Sequence, residues 1–296
     1  MTNVENIKKN FGFGCMRLPM NGSEVDTEET CLDFYLMHAQ NAENYKFFKS
    51  CHAYENAFAL KKEGKIRHVG ISFHDTAEVL DRILTEYPEV EVVQIQFNYL
   101  DYDDPAIQSR LCYEVCRKHN KPVLVMEPVK GGSLVNLPEK AQAVLDDLHG
   151  GSPASYALRF AAGFPGMMMV LSGMSNMEQM QDNISFMKDF KPLNEEEMEA
   201  VKKVQQIFRE KDLIPCTACG YCTEGCPKHI AIPDLFAVMN AGTLHHDWNA
   251  DDYNEIHTSE GRKASDCIKC GKCEKACPQH LPIRELLVSV AKEFEK

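Results

Sequence analysis

Thirteen cysteines are spread unevenly along a chain of 296 residues, and eight of them fall into two runs. The first reads Cys216-Thr-Ala-Cys219-Gly-Tyr-Cys222-Thr-Glu-Gly-Cys226-Pro227, and the second Cys267-Ile-Lys-Cys270-Gly-Lys-Cys273-Glu-Lys-Ala-Cys277-Pro278. Each is C-x2-C-x2-C-x3-C-P, a spacing in which three thiolates curl around an iron–sulfur cube and the proline turns the chain away. Gly220 and Gly271 are expected to let the backbone come close to the cube. A four-cysteine zinc site would instead show two separated C-x2-C pairs, with no third cysteine in step. The runs therefore predict two [4Fe-4S] clusters, with iron as the metal and redox work as the chemistry.

Such thiols must be held by regular elements. Around them, residues 234–239 and 283–294 carry helical periodicity, while the Gly/Asn/Asp-rich stretch 240–254 reads as loop. Cys226 and Cys267 lie 41 positions apart, and the tail resembles the helical ferredoxin modules appended to larger redox enzymes. In two-cluster ferredoxins the fourth cysteine of each run ligates the other cube. The resemblance thus implies that Cys216, Cys219, Cys222 and Cys277 hold one cluster, and Cys267, Cys270, Cys273 and Cys226 the second.

Ahead of the tail, short apolar runs alternate with helix-period segments, the pattern of βα units around a parallel sheet. Six strands are predicted at 11–16, 32–37, 66–73, 90–97, 122–126 and 167–171. Amphipathic helices are predicted at 76–87, 104–119, 176–189 and 194–209. Composition changes after residue 210, so two domains are expected, 1–210 and 211–296.

The strings in this front part resemble the aldo/keto reductase family, in the branch that carries a C-terminal two-cluster ferredoxin-type domain. They are Phe11-Gly-Phe-Gly-Cys-Met-Arg-Leu-Pro19, Leu32-Asp-Phe-Tyr-Leu-Met-His38, Gly64-Lys-Ile-Arg-His-Val-Gly-Ile-Ser-Phe-His-Asp75, Val93-Gln-Ile-Gln-Phe-Asn-Tyr-Leu100, Val125-Met-Glu-Pro-Val-Lys-Gly-Gly132 and Leu171-Ser-Gly-Met-Ser-Asn176. The resemblance implies an α/β fold of (β/α)8 barrel type with its site at the C-terminal ends of the strands, and NADPH or NADH as a cofactor. It gives His38 as the residue that orients a carbonyl oxygen. It places Ser72 and Gln94 at the nicotinamide, Lys130, Gly131 and Gly132 at the pyrophosphate, and Ser175, Gln179 and Asn183 at the adenosine end. Taken alone, each of these loop residues is equally an ordinary turn or N-cap residue. No Lys or Arg occurs between Met167 and Phe186 to grip a 2′-phosphate. Phe73 and Met126 stand where many relatives have Asn and a nicotinamide-stacking aromatic residue.

One departure outweighs these. Relatives carry an Asp, a Tyr and a Lys on the second and third βα units, before the histidine strand. Here Gly14 and His38 are only 24 positions apart, whereas two βα units need about 60 residues. The resemblance therefore implies a barrel of about six strands, without those units and without the Asp, Tyr and Lys. Tyr45 and Tyr54 read as helix-face residues and not as replacements. An open sheet leaves two edges with unpaired backbone groups, which a second copy of the chain could cover.

Lys and Arg total 32 against 44 Asp and Glu, a net charge of -12, which repels nucleic acid and anionic membranes. The most apolar stretch, 157–171, is broken by Arg159, Gly163, Pro165 and Gly166 and is shorter than the ~20 residues that span a bilayer. With no signal-peptide core at the start, a cytoplasmic protein is expected. Two functions fit. One is an NAD(P)H-dependent oxidoreductase whose clusters serve a redox partner protein or a small carbonyl substrate. The other is a non-catalytic electron-transfer protein on a degenerate barrel. Nicotinamide passes two electrons as hydride and a cluster accepts one, and no flavin motif bridges them.

Overall fold

The computed structural model describes residues 11–13, 20–21, 24–25, 32–210, 213–245, 252–258 and 261–295. Cys15, Cys31 and the end of the first expected strand lie outside them.

The strands are β1 (Phe11–Phe13), β2 (Met20–Asn21), β3 (Glu24–Val25), β4 (Leu32–Gln40), β5 (Ile66–Phe73), β6 (Val92–Gln96), β7 (Val123–Met126) and β8 (Met167–Ser172). β2 and β3 pair antiparallel as a separate ribbon. The other six form one sheet in the order β1-β8-β7-β6-β5-β4, with every pairing parallel. Five are substantial strands and β1 adds three residues at one edge. In a closed barrel the first strand would meet the second, and the fourth would meet the third. Among the described residues the sheet ends at β1 and β4, so the gap falls where two further βα units would pair. This is the incomplete barrel expected from the short interval before His38.

Parallel strands covered on both faces are apolar throughout rather than alternating. Accordingly Val69, Ile71 and Phe73 on β5, Val92, Val93 and Ile95 on β6, and Val123 and Val125 on β7 are all buried. Helices α1 (Ala42–Ser50), α2 (Ala53–Lys62), α3 (Ala77–Glu86), α4 (Ser109–Lys118), α5 (Glu139–Asp146), α6 (Pro153–Ala162), α7 (Met177–Met187) and α8 (Glu195–Glu210) follow. On α3, Val79, Leu80, Ile83 and Leu84 bury one face, as the helical period requires. The helix expected from 104 starts only at Ser109. The Asp104 carboxylate accepts the N–H groups of Ala106 and Ile107 in a local turn, and Gln108 has φ +55°.

The cysteine-bearing part is largely helical: α9 (Tyr221–Glu224), α10 (Ile232–His245), α11 (Lys272–Ala276) and α12 (Ile283–Phe294). The loop expected over 240–254 is corrected at its two ends, 246–251 lying outside the described residues. α10 runs to His245, and Asp252–His257 is a further helical turn. Asn240 does not break the helix because its side-chain amide is engaged elsewhere, donating to the Ile214 carbonyl and accepting the Ile214 N–H, both at 2.8 Å.

Two compact units result: Met1–Val129 with Gly151–Met198, and Lys130–Gly150 with Glu199–Lys296. The segment after β7 and most of α8 thus group with the cysteine-bearing residues in the second unit.

Candidate functional site

In the second unit, the local backbone explains how thiols three residues apart face inward. The third residue of each leading C-x-x-C turn is left-handed, Ala218 at φ +54° and Lys269 at +56°. Gly220 at +82° and Gly271 at +75° then open the short helices α9 and α11. It is this conformation that calls for glycine at both places. Non-glycine residues in this region are uncommon, and such strain gathers at functional loops.

The turns gather the eight cysteines into two groups of four. One cavity is lined by Cys216, Cys219, Cys222 and Cys277 with Thr217 and Gln279. The other is lined by Cys226, Cys267, Cys270 and Cys273 with Ile268 and Leu287. Each group takes three cysteines from one run and the last cysteine of the other.

Burial pushes the Cys222 thiol up to about 12 and also raises Cys216, Cys273 and Cys277. Backbone N–H groups work against it, Ala218 at 3.5 Å from the Cys216 sulfur, and those of Leu281, Gln279 and His280 at Cys277. Thiols of this kind give up protons on binding metal.

The chemistry of the donor set and one buried hydroxyl test the fit to a cluster. Four cysteine sulfurs around each cavity suit a cube with an iron at each cysteine. The Thr217 hydroxyl is buried at its cavity without a hydrogen-bond partner, as a donor awaiting a sulfur acceptor would be. The residues fit two [4Fe-4S] cubes.

In the α/β unit the residues expected at a nicotinamide form a row across neighbouring strand ends. His38 is exposed on β4 beside an irregularity between Met37 and Gln40, and its Nδ1 lies 3.4 Å from Ser72 Oγ. Ser72, buried on β5, accepts the Ala39 N–H at 2.8 Å and stands level with Gln94 on β6. Gln94 Nε2 is 3.3 Å from Met126 Sδ at the end of β7.

The remaining expected cofactor residues take structural partners. Ser175 N–H donates to Gln179 Oε1 at 2.7 Å at the start of α7, where Asn176 is the N-cap. Asn183 is buried and donates to Ser172 Oγ at 3.1 Å. Lys130 is buried in the second unit, its Nζ 3.3 Å from Gln279 Oε1. Gly131 has φ +61° and lies against the Thr217 backbone, so that a Cβ there would stand 2.6 Å from the Thr217 carbonyl oxygen. Gly132 follows at φ +98°.

Tyr45 and Tyr54, expected as helix-face residues, lie on α1 and α2. Tyr54 is fully buried, donates to Gln40 Oε1 at 2.8 Å and stacks on Tyr87; Tyr45 donates to Glu86. Burial pushes both phenols well above their ordinary value, the reverse of a phenol tuned to donate a proton.

Sequence reasoning missed a buried network beyond β6. Asp101 Oδ2 accepts from Gln96 and Asn98, each at 2.6 Å, and Asn98 also donates to the Glu127 carbonyl. It also missed Thr217 and Gln279. Their adjacency to cysteines was visible in the sequence, but nothing in the sequence says that they are buried.

Residues 21–206 match the aldo/keto reductase family, and residues 215–281 match the 4Fe-4S dicluster domain. A component of the ion-translocating oxidoreductase complex of Buchnera aphidicola is 29% identical over 101 residues, 31% of this chain and 19% of that protein. Among known structures, an aldo-keto reductase from Bacillus halodurans in its holo form is 22% identical with a TM-score of 0.47, covering 60% of each chain. One from Klebsiella pneumoniae in complex with NADPH is 20% identical with a TM-score of 0.46, again covering 60% of each chain. The match thus spans less than two thirds of each of these proteins.

Proposed function

Because the chain belongs to the aldo/keto reductase family and joins its α/β domain to a dicluster iron–sulfur domain, we propose that it is an iron–sulfur oxidoreductase whose clusters pass single electrons. The observation that carries this reading is the grouping of eight cysteines around two cavities, each group drawing on both runs. When bound, each cube supplies a one-electron carrier. The chain's own residues fix its place: the left-handed turns at Ala218 and Lys269 aim the thiols, and N–H groups at Cys216 and Cys277 favour the thiolate. In the proposed assignment Cys216, Cys219, Cys222 and Cys277 hold one cluster, and Cys226, Cys267, Cys270 and Cys273 the other. Domains at 1–210 and 211–296 would divide the labour between barrel and electron carrier.

The proposal is tested on protein purified without oxygen. It should be brown and contain about eight iron and eight acid-labile sulfide per chain, as two [4Fe-4S] clusters require. Zinc in place of iron would overturn it.

For the barrel, the row of His38, Ser72 and Gln94 supports a surface for NADPH or NADH. A second reading, that carbonyl reduction is lost and the barrel is a scaffold, is favoured by the open interval between β1 and β4. That interval is where relatives carry the Asp, Tyr and Lys. Fluorescence titration with NADPH separates the two: tight binding supports the reductase site, and none supports the scaffold. The electron acceptor is a partner protein or small molecule on either reading. Among the described residues no helix is long and apolar enough to cross a membrane.

A further inference from the structure

The two cysteine cavities repeat one another in backbone but differ in what lines them. Cys216-Thr217-Ala218-Cys219 corresponds to Cys267-Ile268-Lys269-Cys270, and Cys277-Pro278-Gln279-His280 to Cys226-Pro227-Lys228-His229. Left-handed residues recur at matching places, Ala218 and Lys269 at φ +54° and +56°, His229 and His280 at +53° and +52°. With the backbone shared, any inequivalence between the sites must come from side chains.

The inequivalence is marked. At the Cys216 cavity, Thr217 is 7% exposed and its hydroxyl has no partner, while its counterpart Ile268 carries no donor and is 57% exposed. Gln279 is buried in the lining and meets the ammonium of Lys130, itself 3% exposed and set behind it, at 3.3 Å; the counterpart Lys228 lines the other cavity but is exposed to water. Surface lysines such as Lys228 and Lys269 are screened by water, but a charge in the interior acts at low dielectric and over a longer reach. Reduction adds a negative charge to a cube, and a nearby positive charge or a donor to its sulfurs stabilises that state.

We propose that the two clusters are held at different potentials, the one at Cys216, Cys219, Cys222 and Cys277 being the higher, with Lys130 and Thr217 as the residues that raise it. An electron arriving at the Cys226, Cys267, Cys270 and Cys273 cluster then passes to the Cys216 cluster, the first being oxidised by one electron as the second is reduced by one. This gives Lys130 a role toward iron instead of toward a cofactor pyrophosphate. The inference rests on the two-cluster reading.

The test is an anaerobic redox titration of the full chain followed by electron paramagnetic resonance. Wild type should show two separate one-electron waves. Thr217→Val, which removes one hydroxyl at nearly constant volume, and Lys130→Met should each lower the upper wave and leave the lower one in place, whereas Lys130→Arg should restore it. Unchanged waves in both variants, equal shifts of both waves, or movement of the lower wave alone would overturn the inference while the clusters themselves remain. Should Lys130→Met fail to retain iron, Thr217→Val decides; loss of iron in that variant as well makes both residues structural and the inference wrong. Absence of iron from wild type would instead overturn the two-cluster reading.

Discussion

At the scale of single residues, the most consequential contact in the α/β unit is one that does no chemistry. Arg159 on α6 and Glu197 on α8 are only 11% and 10% exposed, and two guanidinium nitrogens meet the two carboxylate oxygens at 2.7 Å each. Arg159 Nε also donates to the Lys191 carbonyl. Removing one member of a buried pair leaves an uncompensated charge and costs about 3–5 kcal/mol. Arg159→Met should therefore lower the free energy of unfolding by about that amount in urea, and the double variant with Glu197→Met should recover most of it. Burial pushes the Glu197 carboxyl up, but Arg159 and a backbone N–H outweigh it and hold the group below its ordinary value. A lowered native value means that the stabilisation is complete above the unfolded value of about 4.3 and is lost as pH falls through the native one. The acid limb of wild-type stability should accordingly be steeper than that of Glu197→Gln. Equal limbs would show that the pair is not what makes Glu197 acid-sensitive. Tyr54→Phe should cost about 1–3 kcal/mol, because it strands the buried amide oxygen of Gln40, yet leave iron content untouched.

At the scale of elements, the turn after β7 is the most exacting piece of backbone. Gly131 combines a left-handed φ of +61° with a backbone contact that a Cβ would make at 2.6 Å. Alanine there should cost at least about 1–2 kcal/mol for the conformation alone and more for displacing the Thr217 strand of chain. We expect Gly131→Ala to lower iron retention on gel filtration, with Gly132→Ala, where a Cβ meets nothing within 4 Å, the milder of the two. A Gly131→Ala protein with full iron content would show that the turn can relax. The inner strands β5, β6 and β7 were legible in the sequence because parallel strands buried on both faces write themselves as near-continuous apolar runs. β5, Ile66–Phe73, even has the expected ends. The missing units were legible too, from the family resemblance and the 24 positions between Gly14 and His38. Three things were not. The start of α4 depends on a side chain of Asp104 competing with the helix. The continuation of α10 through Asn240 depends on a contact with Ile214, 26 residues away. Lys130 sits in a string that resembles a pyrophosphate loop, and its contact with Gln279, 149 residues away, could not be read from that string. Local pattern reports which face of an element is apolar; it does not report which polar atom meets which.

At the scale of the molecule, the division into two compact units makes a thermodynamic statement. The second unit has a modest core built on Ile230, Ile232, Leu235, Phe236, Leu287 and Val290, with cysteines from both runs packed against it. Units with a small core commonly need a covalent or metal staple, and each cube would tie segments some 40 to 60 residues apart in sequence, since Cys277 groups with Cys216 and Cys226 with Cys267. The α/β unit has its own core in the strands and needs no iron to close it. Calorimetry of the iron-loaded protein should therefore show two transitions. Stripping the iron with oxidant and chelator should abolish one of them, with loss of helical circular dichroism, and leave the other in place. Cys219→Ala should behave as a partial case, losing one cluster and lowering the same transition while any NADPH binding persists. If the two units instead melt together before and after iron removal, or if Cys219→Ala abolishes nucleotide binding along with its cluster, iron supports the barrel as well. Electron transfer and the barrel site would then be coupled through the fold and could not be assigned to separate modules.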